Sequence, residues 1–198
     1  MPETFSQTRS GRGVAVQVAA VLLALGMVGF LTVHSSRAAF SASTGNGVNN
    51  FGSGSVLLAD DDLGAVMFNL SGMAPGSTAT RCINVTYTGT LTSNVKLYGT
   101  VAGTGLATYL DTVVDIGTGA AGGNTFSCTG FTGPTNLHTG TLAAFGTTNT
   151  SYVTGLAGFN GATNPTTRSY RITVTLQDDN LAQNKTATAT FTWEAQNI

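Results

Sequence analysis

Tyr170-Arg171-Ile172-Thr173-Val174-Thr175-Leu176 sets Tyr170, Ile172, Val174 and Leu176 on one side of an extended chain and Arg171, Thr173 and Thr175 on the other. Alternation of this kind in β-branched and aromatic residues is the mark of a half-buried strand. A second run places Ala187, Ala189, Phe191 and Trp193 on one face and Thr186, Thr188, Thr190, Thr192 and Glu194 on the other. With Asp178 to Lys185 as the intervening turn, the two runs predict a hairpin. Upstream, the same parity runs through Val66, Phe68 and Leu70, then Ile83, Val85 and Tyr87, then Val95, Leu97, Gly99 and Val101, then Leu110, Val114 and Ile116. Each alternates over the length of one strand.

Turn residues separate these runs. Met73-Ala74-Pro75-Gly76 links the Phe68 run to the Cys82 run, and Thr88-Gly89-Thr90 links the latter to the Leu97 run, so short connections predict antiparallel neighbours. Seven or eight short strands without a long amphipathic helix predict an all-β fold, an antiparallel sandwich of two sheets. Between Gly117 and Arg168 the alternation fades into Gly, Thr and Asn, with scattered Phe126, Phe131, Leu137, Phe145, Tyr152 and Phe159. That stretch reads as a long Gly/Thr-rich loop excursion packed back on the sandwich, with a helical turn at Leu142 to Phe145. No internal segment has the composition of a free linker, which predicts one domain over 39–198.

The first residues carry a different signal. Arg9 and Arg12 precede the 21 residues 13–33, in which Gln17 and Thr32 are the only polar side chains, and Ser36-Arg37-Ala38 follows. A basic end, an apolar run and a small-x-small site describe an export signal, cut after Ala38 or Ala39 and spanning 1–38. As a helix the run would measure roughly 31 Å, so an uncleaved N-terminal membrane anchor is the alternative. Either reading puts the remainder outside the cytoplasm, because the arginines hold the N-terminal end inside. The predicted location is secreted, extracellular or at the cell surface. Membrane contact would be made only through the uncleaved segment.

From Ala39 onward the bases are Arg81, Lys96, Arg168, Arg171 and Lys185, five against the eight acids Asp60, Asp61, Asp62, Asp111, Asp115, Asp178, Asp179 and Glu194, a net charge of −3. No basic patch is available, which argues against nucleic acid as a partner. A surface of threonine, serine and asparagine repels its own copies weakly and so tolerates close association. The two cysteines, Cys82 and Cys128, both follow the signal, and an even pair in an oxidising compartment predicts one disulfide; a metal or redox pair is the competing reading.

Catalytic chemistry has little to draw on. His138 is the one histidine of the exported part and Glu194 its one glutamate, and neither a metalloprotease motif nor a nucleophile elbow or nucleotide-binding glycine motif is present. His138 reads as a solvated loop residue, and the chain as no enzyme, with no cofactor called for. Asp60-Asp61-Asp62 and Asp178-Asp179-Asn180 offer hard oxygen ligands, but neither has the glycine and terminal glutamate of a calcium loop, and Asp-Asn clusters make turns without metal. The sequons at Asn69, Asn84, Asn149 and Asn184 are expected by chance in so Thr-rich a chain.

The order of several short motifs resembles the TasA/camelysin family across the whole chain: Arg37-Ala38-Ala39-Phe40-Ser41 after a long signal, Leu70-Ser71-Gly72-Met73-Ala74-Pro75-Gly76-Ser77 before a strand, Tyr87-Thr88-Gly89-Thr90-Leu91, and the stretch from Tyr170 to Asp178. The resemblance implies a jelly-roll-like sandwich, export through a dedicated type of signal peptidase, a cell-surface or biofilm-matrix location, and assembly into fibres. In fibre-forming relatives a freed N-terminal strand adds to the next subunit. Phe40-Ser41-Ala42-Ser43-Thr44 would be that strand here, on a flexible arm 39–55 rich in Gly and Asn, with a homopolymer built head to tail. The alternatives are a monomeric surface adhesin or ligand-binding module and a camelysin-type zinc endopeptidase. The last is disfavoured because His138 alone cannot supply the usual nitrogen ligands.

Overall fold

The computed structural model describes residues 11–35, 52–162 and 165–198. The chain divides into two compact units, Met1–Phe51 and Gly52–Ile198. In the first, helix α1 (Gly11–Ser35) runs for 25 residues, about 37 Å at 1.5 Å per residue. Its sequence has no polar stripe, and Val16, Val21, Leu22, Leu23, Leu25 and Met27 are exposed. Side chains are described for only part of α1, and over the described residues no helix is long and apolar enough to cross a membrane. The anchor alternative therefore rests on the sequence of 13–33.

The second unit is the predicted two-sheet sandwich. Its strands are β1 (Leu58–Asp60), β2 (Thr78–Tyr87), β3 (Ser93–Gly103), β4 (Leu110–Thr118), β5 (Thr132–Thr141), β6 (Leu156–Gly161), β7 (Thr166–Leu176) and β8 (Ala187–Asn197), with one short helix, α2 (Leu142–Thr148). One sheet has the order β1-β2-β7-β4-β5 and the other β6-β3-β8, every pairing being antiparallel. The inner faces interdigitate through Ile83, Val85, Tyr87, Val114, Tyr170 and Ile172 from the first sheet and Val95 and Leu97 from the second, all buried. Phe145 of α2 plugs one end of this core and is fully buried; the helix starts where Thr141 accepts a hydrogen bond from the Ala144 N–H at 3.2 Å.

The orders β2-β7-β4-β5 and β6-β3-β8 are those of a jelly roll, in which strands adjacent in sequence cross from sheet to sheet. This corrects two pairings. The Tyr170 and Ala187 runs are strands but form no hairpin: β7 lies between β2 and β4, with both edges occupied, while β8 pairs with β3. Their link arches between the sheets, fixed where Asp179 accepts from the Leu181 N–H at 2.8 Å and where Ala182 is buried. Likewise β2 and β3 belong to opposite sheets. The Tyr87 hydroxyl turns that corner by donating to the Leu91 carbonyl and meeting Ser93 Oγ at 2.8 Å.

Two further expectations change. The stretch 117–168 is not one loop excursion, since it holds β5, α2 and β6. The strand β5 is an edge with mostly exposed side chains, a proline and two register shifts against β4, so no burial imposes an alternating pattern on its sequence. Conversely, Val66, Phe68 and Leu70 alternate but form no strand. They lie on a strap between β1 and β2.

The expected disulfide is formed. Cys82 and Cys128 are joined with Cα atoms 5.0 Å apart, and the Cys82 N–H donates to the Phe126 carbonyl at 2.9 Å. The bridge holds the turn 119–131 against the first sheet, and Cys82 is fully buried.

Candidate assembly edge and groove

The edges of the two sheets are treated differently. On β2, the three-residue β1 pairs with Val85, Thr86 and Tyr87. Beyond it Asp61 takes over: its Oδ1 accepts from the Asn84 N–H at 2.9 Å, and its Oδ2 from Asn84 Nδ2 and the Gly123 N–H, both at 2.8 Å. Asn84 in turn donates to the Ala120 carbonyl and accepts from Ser169 Oγ at 2.6 Å. With the Cys82 N–H bonded to the Phe126 carbonyl, the β2 edge is thus closed from Cys82 to Tyr87. At the other ends, β5 contains Pro134 and two register shifts, and β6 is six residues long with a register shift opposite Val95 and Lys96. Short, bulged or proline-bearing edges resist further pairing.

β8 has no such bulge, proline or hydrogen-bonded cover among the described residues. It pairs with β3 along all eleven residues without a shift, and its second edge carries no hydrogen bond to any other described segment. In a jelly roll this is the place of the first strand, the fourth member of the sheet; here β1, the first strand of the described residues, pairs with β2. The face of β8 turned toward the core is correspondingly under-covered: Ala187, Phe191, Trp193 and Ala195 are half-buried and Ala189 is exposed.

Beneath that edge lies a groove of about 510 Å³. Its floor is Ile83, Leu110, Leu142 and Val174, one wall is β8 from Ala187 to Trp193, and the strap supplies Ala65 to Leu70 and Met73. The Trp193 indole N–H in this wall is buried without a partner, as is the hydroxyl of Tyr170 behind it, which lies against Gly158 of β6 and outside the groove. The rings meet edge to face, centroids 5.4 Å apart. Burial pushes the Tyr170 phenol well above its ordinary range, so it stays protonated.

The remaining predicted groups fall elsewhere. Asp61 is consumed by its clamp on β2 and Gly123, Asp62 accepts from the Gly64 N–H at 2.7 Å, and Asp60 is raised by burial and then by the charge of Asp62. Asp179 caps a turn. Among the described residues no three His, Cys, Asp or Glu side chains gather as a metal site. Four of the five bases sit over aromatic rings: Lys96 on Tyr152, Arg168 on Phe159, Arg171 on Phe131 and Lys185 on Tyr109, at 4.7–5.9 Å. Arg171 also pairs with Asp115 at 2.8 Å. Asn84 and Asn149 are engaged inside the fold, whereas Asn69, on the strap, and Asn184 are exposed. The cleavage residues Ser36, Ala38 and Ala39 and the assembly strand Phe40, Ser41, Ala42, Ser43 and Thr44 lie outside the described residues.

His138 is on β5 and not in a solvated loop. Its ring meets the edge of Phe145 at 5.7 Å, and its Nε2 is buried without a partner. Burial lowers its pKa, against a smaller opposing backbone hydrogen bond at Thr141. The unfolded chain therefore takes up this proton before the folded one, so the stability tied to neutral His138 is whole above about pH 6.5 and falls as pH drops below it. His138→Leu is expected to flatten that decline in urea midpoints measured between about pH 6.5 and 5. An unchanged slope would show the imidazole free to protonate in place.

Sequence reasoning missed the β8 edge and the Asp61 clamp. The edge had a usable signal: the run from Ala187 to Glu194 contains no Gly, Pro or charge before its end. The clamp had none, since its partners are brought together only by the fold. Compared with known protein families and with curated proteins, the chain matches none, and the likeness to the TasA/camelysin family rests on the motifs quoted above.

Proposed function

We propose that this chain is an exported structural subunit that polymerises into surface or matrix fibres by adding the N-terminal strand of one copy, Phe40 to Thr44, to the β8 edge of the next. The observation that carries the reading is the regular, eleven-residue edge of β8, which carries no hydrogen bond to any other described segment, above an apolar groove. Strand addition uses both: the backbone gains ladder hydrogen bonds, and alternate side chains enter the groove. Phe40 is the anchor that such a groove accepts.

Chain length suits the geometry. The folded unit takes hold at Ser55, whose N–H donates to Thr90 Oγ1 at 2.8 Å and whose carbonyl accepts from the Thr90 and Leu91 N–H groups. Ten residues lie between Thr44 and Ser55, and the eleven steps that join them reach up to about 36–40 Å. That is about the length of β8 at 3.3 Å per residue, so the strand can serve a neighbouring copy. Export frees the end, because an uncut signal would burden residue 40 with a long apolar helix.

The test is deletion of Ala39 to Thr44 in the secreted protein. Fibres seen by electron microscopy and the scattering signal of polymer are expected to vanish while the folded monomer remains. Fibres of unchanged form from the deleted chain would sink the proposal. A second reading, a monomeric ligand-binding module, draws on the apolar groove and the buried Trp193 N–H in its wall; it takes first place if the full mature chain stays monomeric at high concentration.

A further inference from the structure

The strap between β1 and β2 occupies part of the groove beside the edge that the fibre reading needs open. Its residues Val66, Met67, Phe68, Leu70 and Met73 line the groove against β8. It follows the path of a strand: it starts at Asp61, bound to Asn84, and ends where the Gly76 N–H meets the Leu176 carbonyl at 2.8 Å. Trp193, packed on Tyr170 opposite Ile83, marks the first level on β8, and Ala187 lies toward the second. The strap therefore runs alongside β8 in the opposite sense. Yet the backbone from Val66 to Met73 makes no hydrogen bond to any described segment. Met67, Phe68 and Met73 pack into the groove against the core, and the strand edge beside them has no hydrogen-bond partner among the described residues.

The fastenings are at the ends alone. At one end Leu63 and Gly64 have φ of +57° and +79°; at the other Gly72 and Gly76 have +62° and +77°. Asp62 holds the first turn through the Gly64 N–H, and Ser77 Oγ holds the last through the Ala74 N–H at 3.0 Å. Left-handed positions are readily adopted by glycine and disfavoured for other residues. A segment with no backbone hydrogen bond to its described neighbours, held between two such turns, opens at less cost than a paired strand.

We infer that residues 64–72 form a gate over the β8 edge, shut in the monomer and swung out on the turns at Leu63-Gly64 and Gly72 to admit the strand of another copy. The inference rests on the fibre reading for the identity of the incoming strand. The incoming strand offers what the strap lacks, a ladder of backbone hydrogen bonds, together with side chains for the same groove. Because only the open form accepts it, apparent affinity scales with the open fraction while that fraction is small.

Gly72→Ala tests the gate without removing any side chain. A Cβ there meets nothing within 4 Å, so the sole penalty is backbone strain at φ +62°, felt in the shut state. Gly133→Ala is the matched control, with the same φ and the same open space but on β5. For full-length mature protein, Gly72→Ala is expected to raise both the rate of chymotrypsin cleavage at Phe68 under native conditions and the rate of assembly by about tenfold, with Gly133→Ala changing neither. Equal effects of the two variants, or no effect of Gly72→Ala on fibres that the wild type forms, overturn the gate and leave the fibre reading intact. Faster cleavage specific to Gly72→Ala with no polymer from any variant supports the opening and removes the fibre reading instead.

Discussion

Replacing Cys82 by serine should lower the unfolding free energy by about 2–5 kcal/mol, the usual consequence of losing a native bridge in an exported domain. The bridge spans 46 residues, and a closed loop of that size restricts the unfolded chain by about 4 kcal/mol in the entropy model. Serine adds a second penalty, because position 82 is fully buried and a hydroxyl there needs a partner. Comparing Cys82→Ala/Cys128→Ala with the single serine variant separates the two effects in urea unfolding. The double alanine variant isolates the cross-link, and a loss under about 1 kcal/mol would show that the fold already holds the 119–131 turn without it. That outcome has a structural basis to be weighed, since Asp61, Asn84 and Ser169 fasten Gly123 and Ala120 independently of the sulfurs. Labelling of two free thiols in unreduced secreted protein would remove the premise altogether.

How far the sequence could be read follows from which residues are buried on one face. The strands β2, β3, β4, β7 and β8 have a core side, and burial writes period-two alternation into them, so they were legible. The strands β5 and β6 lie at edges and draw much of their order from pairing alone, so Thr132 to Thr141 and Leu156 to Gly161 read as loop. Which strand pairs with which was not legible, because alternation assigns a face and not a neighbour. Tyr170 to Leu176 looks the same whether Ala187 to Glu194 lies beside it or across the core from it. The strap shows the converse. Val66, Phe68 and Leu70 alternate as a strand does, yet the chain there has been drawn away after Asp60, where Asp61 turns its carboxylate onto Asn84. The cysteine pair was legible because chemistry, not packing, limited the partners to one.

Ala189→Lys should abolish polymer growth by at least about a hundredfold while leaving the monomer's stability within about 0.5 kcal/mol. Ala189 lies on the groove-facing side of β8 and is exposed in the monomer, and exposed substitutions away from special features cost little. A strand laid over that edge would bury the ammonium without a counter-charge, and a penalty of about 3 kcal/mol or more corresponds to the stated loss of affinity. The variant's own N-terminal strand is untouched, so it can still donate. The chain lacking Ala39 to Thr44 is the complement, with an intact β8 and nothing to give. Each should stay monomeric alone. Mixed, they should form one contact per pair and stop at the heterodimer, because a head-to-tail interface with one dead surface on each partner cannot propagate. Added to wild type, Ala189→Lys should cap one fibre end and shorten the fibres in proportion to its share. Sedimentation or light scattering of the mixture decides the matter. Polymers longer than two from the mixed variants, or wild-type growth by Ala189→Lys alone, would show that copies meet through some surface other than the β8 edge.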